Sequence, residues 1–502
     1  MEGGRDLKAI MVQGTASDVG KSVLCTALCR WLLEEGLRVA PFKAQNMALN
    51  SAVTRDGGEI GRSQAVQAEA AGAEACVDMN PILLKPKGDR ISEVIVHGRH
   101  YRDMAAGDYQ AHTHEMLQPV RQSLDRLSQR YDVLVVEGAG SPAEVNLKER
   151  DIVNMRTAEL VDAPVLLVAD IDRGGVFASL IGTLEILEPH ERARVRGLVI
   201  NKFRGDRSLL EPGLKWLYQR TGIPVLGVLP YRDPGIDPED SLALDSRKET
   251  GDAALEVAVI RFPRISNFTD FAPLEGASDV RLRYVSRVSE WGNPDVVILP
   301  GTKNTIADLF WLRQSGLLPL LEAHRAQGGE IVGICGGYQM MGVRLHDPDG
   351  VEWDDPDQEG LRWLPVATTF RPGKRTAQVR ARGLAPGWGY GLELEGYEIH
   401  LGREDCLTGA IPLLEREDGT RDGCVNDSGR VWGTHLHGLF QSPAWTRSWL
   451  NHLRQRKGLP PLDREEPIRE RDQIYAALAD WLREHLDLEA VRALIERKGV
   501  RR

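Results

Sequence analysis

The chain has 502 residues, enough for two or three domains, and its 42% hydrophobic and 27% charged residues are ordinary for a globular protein. The net charge of −10, without a long basic tract, argues against nucleic acid as a main partner. No apolar run approaches the roughly 20 residues of a membrane span, and the N-terminus does not resemble a signal peptide. The six cysteines are scattered without a Cys-x-x-Cys pair, which predicts neither a disulfide framework nor a zinc site and favours a cytoplasmic location.

A phosphate-binding loop is predicted near the start of the chain. A strand pattern at 8–14 leads into GTASDVGKS, and an apolar-periodic helix follows at 23–34. In such a loop the backbone N–H groups and the helix N-terminus face the anion, the lysine reaches the β- and γ-phosphates, and the serine hydroxyl binds Mg²⁺. Five residues separate the two glycines, one more than in the standard loop, and the alternative is a surface Gly-Lys-Ser turn. The nucleotide-binding residues that we assign are Gly14, Thr15, Asp18, Gly20, Lys21, Ser22 and, on a later strand, Asn201.

An acidic residue at the end of a buried strand is a candidate magnesium ligand. The apolar run 133–136 ends at Glu137, directly before a Gly-Ala-Gly turn. In P-loop enzymes an acid at such a position holds Mg²⁺ directly or through water. We therefore assign the metal to Ser22 and Glu137. The alternatives are that Glu137 only caps the turn, or that Asp170 or Asp172 after the next strand serves the metal.

Strands alternate with helices along both halves of the chain. This alternation predicts an α/β protein with two doubly wound, mostly parallel sheets whose sites lie at the carboxyl ends of strands. The first domain is predicted at 1–232 and the second at 253–446, with a linker rich in Pro, Asp and Gly at 233–252. Residues 447–502 are charged and helical in pattern, which predicts a C-terminal helical tail that covers a domain edge.

A second chemical site is predicted at GICGGYQ, residues 333–339. A β-branched strand leads in and a helix leads out, so Cys335 lies at a strand-to-helix corner, the layout of a nucleophile elbow. The helix N-terminus favours the thiolate, which is the reactive species. About a hundred residues later GTHLHG offers a histidine base, and the alternative is a buried structural cysteine beside a turn. The turn at 300–302 could present N–H groups to an oxyanion or be a tight turn only.

Seven motifs together carry a resemblance to a known family: KAQNMALNS, VVEGAGSPAEVNL, ADIDRGGVFAS, RISNFTDF, LPGTKNT, YEIHLG and GTHLHGLF. The phosphate loop with its extra residue resembles that of dethiobiotin synthetase, and the elbow with its downstream His-Gly resembles class I glutamine amidotransferases. The order of the motifs resembles the cobyric acid synthase family of cobalamin biosynthesis, from about residue 8 to residue 445. The resemblance implies a P-loop synthetase-like domain followed by a glutamine amidotransferase-like domain.

The resemblance also implies an activity. Members of the family use ATP, Mg²⁺ and glutamine to amidate four peripheral carboxylates (b, d, e and g) of (adenosyl)cobyrinic acid a,c-diamide, giving cobyric acid. By this likeness Cys335 attacks the glutamine carboxamide to form a glutamyl thioester, and His437 relays the proton. Leu439 stands where many class I enzymes carry a glutamate, so a Cys–His dyad is expected. The motif residues His435 and Glu398 receive no chemical role.

Rival interpretations remain at this point. Cobyrinic acid a,c-diamide synthase joins the same two modules, but KAQNMALNS and RISNFTDF favour the cobyric acid reaction. A partitioning ATPase usually carries another lysine early in the loop, where Thr15-Ala16-Ser17 has none. A scaffold with a degenerate amidotransferase domain does not need both Cys335 and His437. Because only unprotonated ammonia attacks, a shielded path from the thiol to the P-loop is expected. The sequence does not indicate the oligomeric state.

Overall fold

The first sheet has six strands, all parallel, in the computed structural model of the chain, which describes residues 7–87, 91–236, 253–385, 387–463 and 471–496. The strand Lys8–Gly14 lies between the strands that end at Asp170 and at Glu137, the candidate metal ligands. The phosphate loop that follows Lys8–Gly14 therefore emerges beside them at the carboxyl edge of the sheet. Continuous apolar runs form these strands because helices cover both faces. The order across the sheet is Val225–Pro230, Val195–Phe203, Val165–Asp170, Lys8–Gly14, Val133–Glu137 and Val39–Phe42.

Shorter strands and a series of helices complete this half of the chain. The additional strands are Gln45–Met47, Ser51–Val53, Glu59–Gly61, Ile82–Pro86, Ile91–Val96 and Arg99–Ala105. The helices are Lys21–Glu34, Arg62–Ala70, Ala106–Ala111, Thr113–Arg130, Met155–Leu160, Val176–Ile186, Pro189–Arg192 and Glu211–Thr221.

The second large sheet has nine strands and is parallel in the half that carries the thiol. The elbow strand lies between two parallel neighbours, while the far half is antiparallel. The order is Val280–Val285, Leu255–Ile260, Val296–Leu299, Glu330–Ile334, Val431–Thr434, Arg421–Val425, Ile411–Arg416, Arg375–Gly383 and Glu393–His400. A small sheet contains Asp357–Glu359, Arg344–His346, Val366–Thr369 and Arg403–Cys406. The helices of this half are Ala272–Glu275, Thr305–Gln314, Leu318–Ala326, Gly336–Met340 and Pro443–Arg456. The prediction of two doubly wound α/β units is confirmed.

The C-terminal helices divide between the two halves. Pro443–Arg456 places its tryptophans in the core of the second half, and the predicted boundary at 446 falls inside this helix. Arg471–His485 and Leu488–Glu496 instead pack on the first half, against the helix Lys21–Glu34 and one face of the first sheet. The helical tail is confirmed, and it covers the first half. The predicted linker falls mostly on residues 237–252, which lie outside the described residues.

A cluster of buried charges lies where the two halves meet. Lys374 of the second half places Nζ 2.8 Å from Glu59 and 3.0 Å from Glu93, both of the first half. Lys303 pairs with Glu93 at 2.5 Å, and Lys85 pairs with Glu59 at 2.6 Å. Burial raises the pKa of Glu59, but Lys374 and Lys85 outweigh it and lower that pKa to about 2. Each of these buried carboxylates is therefore paired with lysine ammonium groups, because an unpaired charge is costly to bury.

Candidate functional site

Cys335 occupies a strained corner between the strand Glu330–Ile334 and the helix Gly336–Met340. Its φ of 51° and ψ of −113° are unusual for a residue with a side chain. Two backbone hydrogen bonds hold this geometry, from Cys335 N–H to Thr434 O at 2.8 Å and from Gln339 N–H to Cys335 O at 3.0 Å. The thiol is buried, with Sγ 3.6 Å from Ile399 O. The structure thus forms the elbow that the glycine-rich sequence predicts.

His437 lies beside the thiol and is held by a third side chain. The Asp270 carboxylate accepts a hydrogen bond from His437 Nδ1 at 2.7 Å and from Gly438 N–H at 2.9 Å. Asp270 belongs to the turn Phe268–Phe271 inside the motif RISNFTDF. The expectation of a dyad is wrong, because an acid from a different part of the chain replaces the one missing at Leu439. The residues form a Cys335–His437–Asp270 triad.

The charge on His437 follows from its neighbours. Burial lowers the pKa of His437, but the Asp270 carboxylate and Cys335 outweigh it and raise the pKa to about 10, with the Cys335 side chain as a hydrogen-bond partner. Tyr397 stacks on the imidazole at 5.3 Å between ring centroids, and the two residues exchange backbone hydrogen bonds of 2.8 and 3.1 Å. The imidazole is therefore fixed in orientation and favours the charged form, which stabilises a thiolate beside it.

Both halves of the chain line the pocket above the thiol. Lys85 comes from the first half, whereas Cys335 and the turn at 302–303 come from the second. Gly336 follows the nucleophile, and a Cβ at Gly336 would lie 2.6 Å from Thr302 Cγ2, so the elbow and this turn are in close contact. The full lining is Lys85, Ser266, Asn267, Thr302, Lys303, Thr305, Cys335, Gln339, Glu352, Lys374, Ile399, His400 and Leu401.

A cluster of histidines and carboxylates lies next to the triad. His400, Glu404 and His435 place ligand atoms within 4.8 Å of one another. His435 lies between two carboxylates, with Nδ1 2.9 Å from Asp422 and Nε2 2.8 Å from Glu404. Burial lowers the pKa of His435, but Glu404 and Asp422 outweigh it and hold the pKa well above the ordinary value. The imidazolium of His435 pairs with both acids and Arg416 also pairs with Asp422, so cations of the protein itself contact these carboxylates.

Glu398 of the motif YEIHLG belongs to the same network of ion pairs. Its carboxylate, fully buried, pairs with Arg375 on the neighbouring strand and with Arg416 on the strand beyond it. Arg416 also lies 3.0 Å from Asp422, which holds His435. Glu398 therefore links the strand Glu393–His400 to the end of the strand Val431–Thr434 that leads to His437.

Side chains hold the phosphate loop in shape through hydrogen bonds to its backbone and to that of the turn at 138–140. Lys21 Nζ donates to Ala16 O at 2.9 Å and to Gly140 O at 3.2 Å. Gly20 has φ of +98°, and a Cβ there would lie 2.1 Å from Asn201 Nδ2, so this position requires glycine. Asn201 Nδ2 donates to Val19 O at 2.9 Å and so holds the loop backbone in place. Gly14 ends the central strand, and the N–H of Thr15 bonds to Val168 O at 2.9 Å.

The two assigned magnesium ligands lie together in the structure. Ser22 Oγ donates to Glu137 Oε1 at 2.9 Å, and Glu137 is fully buried. Lys43 Nζ lies 2.9 Å from the same oxygen, and Gln67 Nε2 donates to the other. A hydroxyl and a carboxylate next to a phosphate loop are the hard oxygen donors that Mg²⁺ takes. Sequence reasoning missed Lys43, although it opens the motif KAQNMALNS directly after a strand end.

Asp18 and the aspartates after the strand Val165–Asp170 lie at the rim of the loop. Asp18 is exposed and pairs with Arg173 at 2.9 Å. Lys202 Nζ donates to Asp18 O at 2.7 Å and lies 3.0 Å from Asp170. Lysine ammonium groups contact both candidate carboxylates, Lys202 at Asp170 and Lys43 at Glu137. Glu137 also accepts a hydrogen bond from Ser22 of the phosphate loop, which favours the pair Ser22 and Glu137 for the metal.

Comparison with known proteins gives family matches to both halves. The family described as CobQ/CobB/MinD/ParA nucleotide binding domain matches residues 10–238. The family described as CobB/CobQ-like glutamine amidotransferase domain matches residues 256–445. The triad lies within the second match and the phosphate loop within the first.

Relatives match over nearly the whole length. A cobyric acid synthase of Sorangium cellulosum is 52% identical, covering 97% of this chain and 98% of the relative. A protein of the same name from Desulforamulus reducens is 51% identical over 97% and 98% of the two chains. Another from Nostoc punctiforme is 50% identical over 96% and 99%.

Proposed function

This chain belongs to the cobyric acid synthase family, and we propose that it amidates cobyrinic acid a,c-diamide to cobyric acid with ATP and glutamine. The four carboxylates b, d, e and g of the corrinoid are the acceptors. The observation that carries the proposal is the presence, in one chain, of a Cys335–His437–Asp270 triad and a phosphate loop with a buried carboxylate. One site releases ammonia and the other activates the carboxylate that takes it up. The names of the relatives favour this reaction over amidation at the a and c positions.

Glutamine is hydrolysed at the triad. The Cys335 thiolate attacks the carboxamide carbon, and the oxygen takes up negative charge beside the turn at 300–302 and the N–H of Gly336. The His437 imidazolium gives its proton to the leaving nitrogen, the C–N bond breaks, and ammonia leaves a glutamyl thioester. Water then attacks the thioester as His437 takes a proton from it, and the C–S bond breaks, which releases glutamate and restores the Cys335 thiolate beside the His437 imidazolium. Asp270 holds the ring so that Nε2 faces the reacting atoms.

The carboxylate is activated at the phosphate loop. We infer that Gly14, Thr15, Asp18 and Gly20 surround the ATP phosphates, with Lys21 on the β- and γ-phosphates and Asn201 holding the loop in shape. Ser22 and Glu137 are proposed to hold Mg²⁺, which when bound neutralises charge on the phosphates. A corrinoid carboxylate oxygen attacks the γ-phosphorus and ADP leaves. Ammonia then attacks the acyl phosphate, and the C–O bond to phosphate breaks to give the amide.

Several wider assignments accompany this function. We propose a synthetase domain at 1–232, a linker at 233–252 and an amidotransferase domain that runs from 253 through the helix Pro443–Arg456, beyond the predicted boundary at 446, with the helical tail after it. All six cysteines are unpaired, which supports the cytoplasm as the location. The net charge of −10 supports a small-molecule partner and not a nucleic acid. Among the described residues, no helix is both long and apolar enough to cross a membrane.

Mass spectrometry of the corrinoid tests the proposal. The a,c-diamide is incubated with protein, glutamine, ATP and Mg²⁺, and each amidation replaces a hydroxyl by an NH₂ group, so products form a ladder. We expect a ladder that ends at four new amides. Cys335→Ala is the matched control: it should give no ladder with glutamine but recover it with ammonium salt at high pH. Glutamate release without any ladder would contradict the corrinoid assignment, and cobyrinic acid in place of the a,c-diamide then tests the rival reaction.

A further inference from the structure

Three buried lysines line one side of the pocket above the thiol: Lys85, Lys303 and Lys374. Their ammonium groups pair with two buried carboxylates, those of Glu59 and Glu93. Both acids are almost fully buried, so water and salt screen these charges little. Three cations against two anions leave one positive charge in excess at the pocket wall, and an excess charge is costly to bury.

Lys303 is the lysine whose charge is compensated less. Its Nζ pairs with Glu93 at 2.5 Å, and Glu93 is shared with Lys374 at 3.0 Å. Burial and the charge of Lys374 outweigh Glu93 and lower the pKa of Lys303 to about 8. Lys374 lies between Glu59 and Glu93, which outweigh burial and raise the pKa of Lys374. A further anion in the pocket would therefore stabilise the charge of Lys303 more than that of Lys374.

Glu352 is an acid of the same pocket and lacks a cation in the same way. Its carboxylate accepts hydrogen bonds from the N–H of Thr305 at 2.7 Å and of Ile306 at 3.3 Å. Burial raises the pKa of Glu352 to about 7, and these N–H groups and Lys303 oppose the rise without cancelling it. A further cation would stabilise the charged form of Glu352, as a further anion would stabilise Lys303. A ligand that carries one charge of each sign meets both needs.

Both charged groups lie beside the helix Gly336–Met340, which follows the nucleophile. The turn at 302–303 contacts the start of this helix. Thr305, whose N–H bonds to Glu352, donates its hydroxyl to Gln339 of the same helix at 3.1 Å. Glutamine carries its amide and its two charged groups only a few bonds apart, which matches the close spacing of the thiol and the two charged groups in one pocket.

We propose that Lys303 binds the α-carboxylate of glutamine and Glu352 its α-ammonium, so that the pocket selects the substrate by its amino-acid end. The proposal rests on the proposed function, because it takes glutamine as the molecule that Cys335 attacks. The bound α-carboxylate balances the excess charge of the three lysines, and the α-ammonium keeps Glu352 charged. A primary amide without the α-carboxylate leaves the excess cation uncompensated and is therefore a poor substrate.

Two reagents that alkylate the same thiol separate recognition from reactivity. 6-Diazo-5-oxo-L-norleucine carries the α-amino and α-carboxylate groups of glutamine and loses N₂ when the sulfur attacks, whereas iodoacetamide has neither charged group. Both rates are followed at the Cys335 peptide by mass spectrometry. In Lys303→Met the rate with the norleucine reagent should fall roughly 10- to 100-fold, because a hydrogen bond to a charged group contributes about that factor. The rate with iodoacetamide should stay the same, and Glu352→Gln should give the same pattern.

Lys87→Met is the matched control, because Lys87 pairs with Asp103 at 2.5 Å and is not among the residues that line the pocket. It should change neither rate. An unchanged rate with the norleucine reagent in Lys303→Met, or an equal fall with both reagents, overturns the proposal.

Glutamine hydrolysis gives a second measurement. Lys303→Met should raise KM for glutamine by a similar factor and leave kcat nearly unchanged, because the contact is the same in the ground state and the transition state. A fall in kcat at unchanged KM would overturn the assignment. A wild-type protein that hydrolyses no glutamine would contradict the proposed function, while the two alkylation rates, which need no turnover, would still judge Lys303.

Discussion

The carboxylate of Asp270 is the part of the triad whose removal has the most specific consequence. Asp270→Asn keeps the size of the side chain and an oxygen for the N–H of Gly438, but it removes the charge 2.7 Å from His437 Nδ1. An opposite charge at such a distance shifts a pKa by about 1 to 3 units, or roughly 1.4 to 4 kcal/mol. The thiolate–imidazolium pair should lose that stabilisation. We expect kcat/KM for glutamine to fall roughly 10- to 1000-fold at neutral pH.

The pH dependence of glutamine hydrolysis gives a second, independent test of the role of Asp270. In the wild-type protein the imidazolium that protonates the leaving ammonia is lost only as the pH rises through the pKa of His437, about 10. In Asp270→Asn that loss should move down to roughly pH 7 to 9, from the same 1 to 3 units. The assay is glutamate release in the presence of ATP and corrinoid.

Amidation driven by ammonium salt is the internal control for this variant. It bypasses the triad, so Asp270→Asn should match the wild-type rate there. A kcat/KM for glutamine within about twofold of wild type, with the high-pH limb in place, would refute the reasoning that Asp270 stabilises the charged base.

Three further results are expected. Lys21→Ala should abolish ATP-dependent amidation even with ammonium salt, because the charge on the phosphates is lost; retention of this activity would contradict the phosphate-loop assignment. Lys374→Met should lower the free energy of unfolding in urea by up to roughly 3–5 kcal/mol, because Glu59 and Glu93 lose a buried cation, and Lys374→Met with Glu59→Gln should recover part of it. Burial raises the pKa of Glu352 from 4.5 to about 7, so the folded state binds more protons in that window and stability should fall as the pH rises through it. Glu352→Gln, which keeps an acceptor for the N–H of Thr305, should flatten this slope, and an unchanged slope would contradict the cause.

Sites whose residues are close together in the chain could be predicted from the sequence. The phosphate loop and the elbow at Cys335 each combine a strand, a glycine turn and a helix within about twenty residues, so the pattern itself encodes the geometry. The alternation of strands and helices likewise encodes a doubly wound sheet, because connections between parallel strands need a crossover.

Contacts between distant residues could not be predicted in the same way. Asp270 lies 167 residues before His437, and the position where a carboxylate was sought, Leu439, is on the wrong segment. Lys43 lies in a polar stretch that reads as an ordinary loop until Glu137 is placed beside it. Glu59 and Glu93 are ordinary charged residues in the sequence, whereas in the structure they pair with Lys374 and Lys303 from the distant second half.

The helices Arg471–His485 and Leu488–Glu496 have a consequence for biosynthesis. They cover an apolar face that includes Leu28, Trp31 and Leu32 of the first half. On the ribosome, the 260 residues from 237 to 496 must be made before both covering helices exist, a delay of roughly 10 to 50 seconds at the usual rate of translation. During this interval the nascent first half exposes an apolar surface to which chaperones can bind. A premature stop codon shortly before residue 471 would spare the phosphate loop and the Cys335–His437–Asp270 triad and still leave the product permanently in that state.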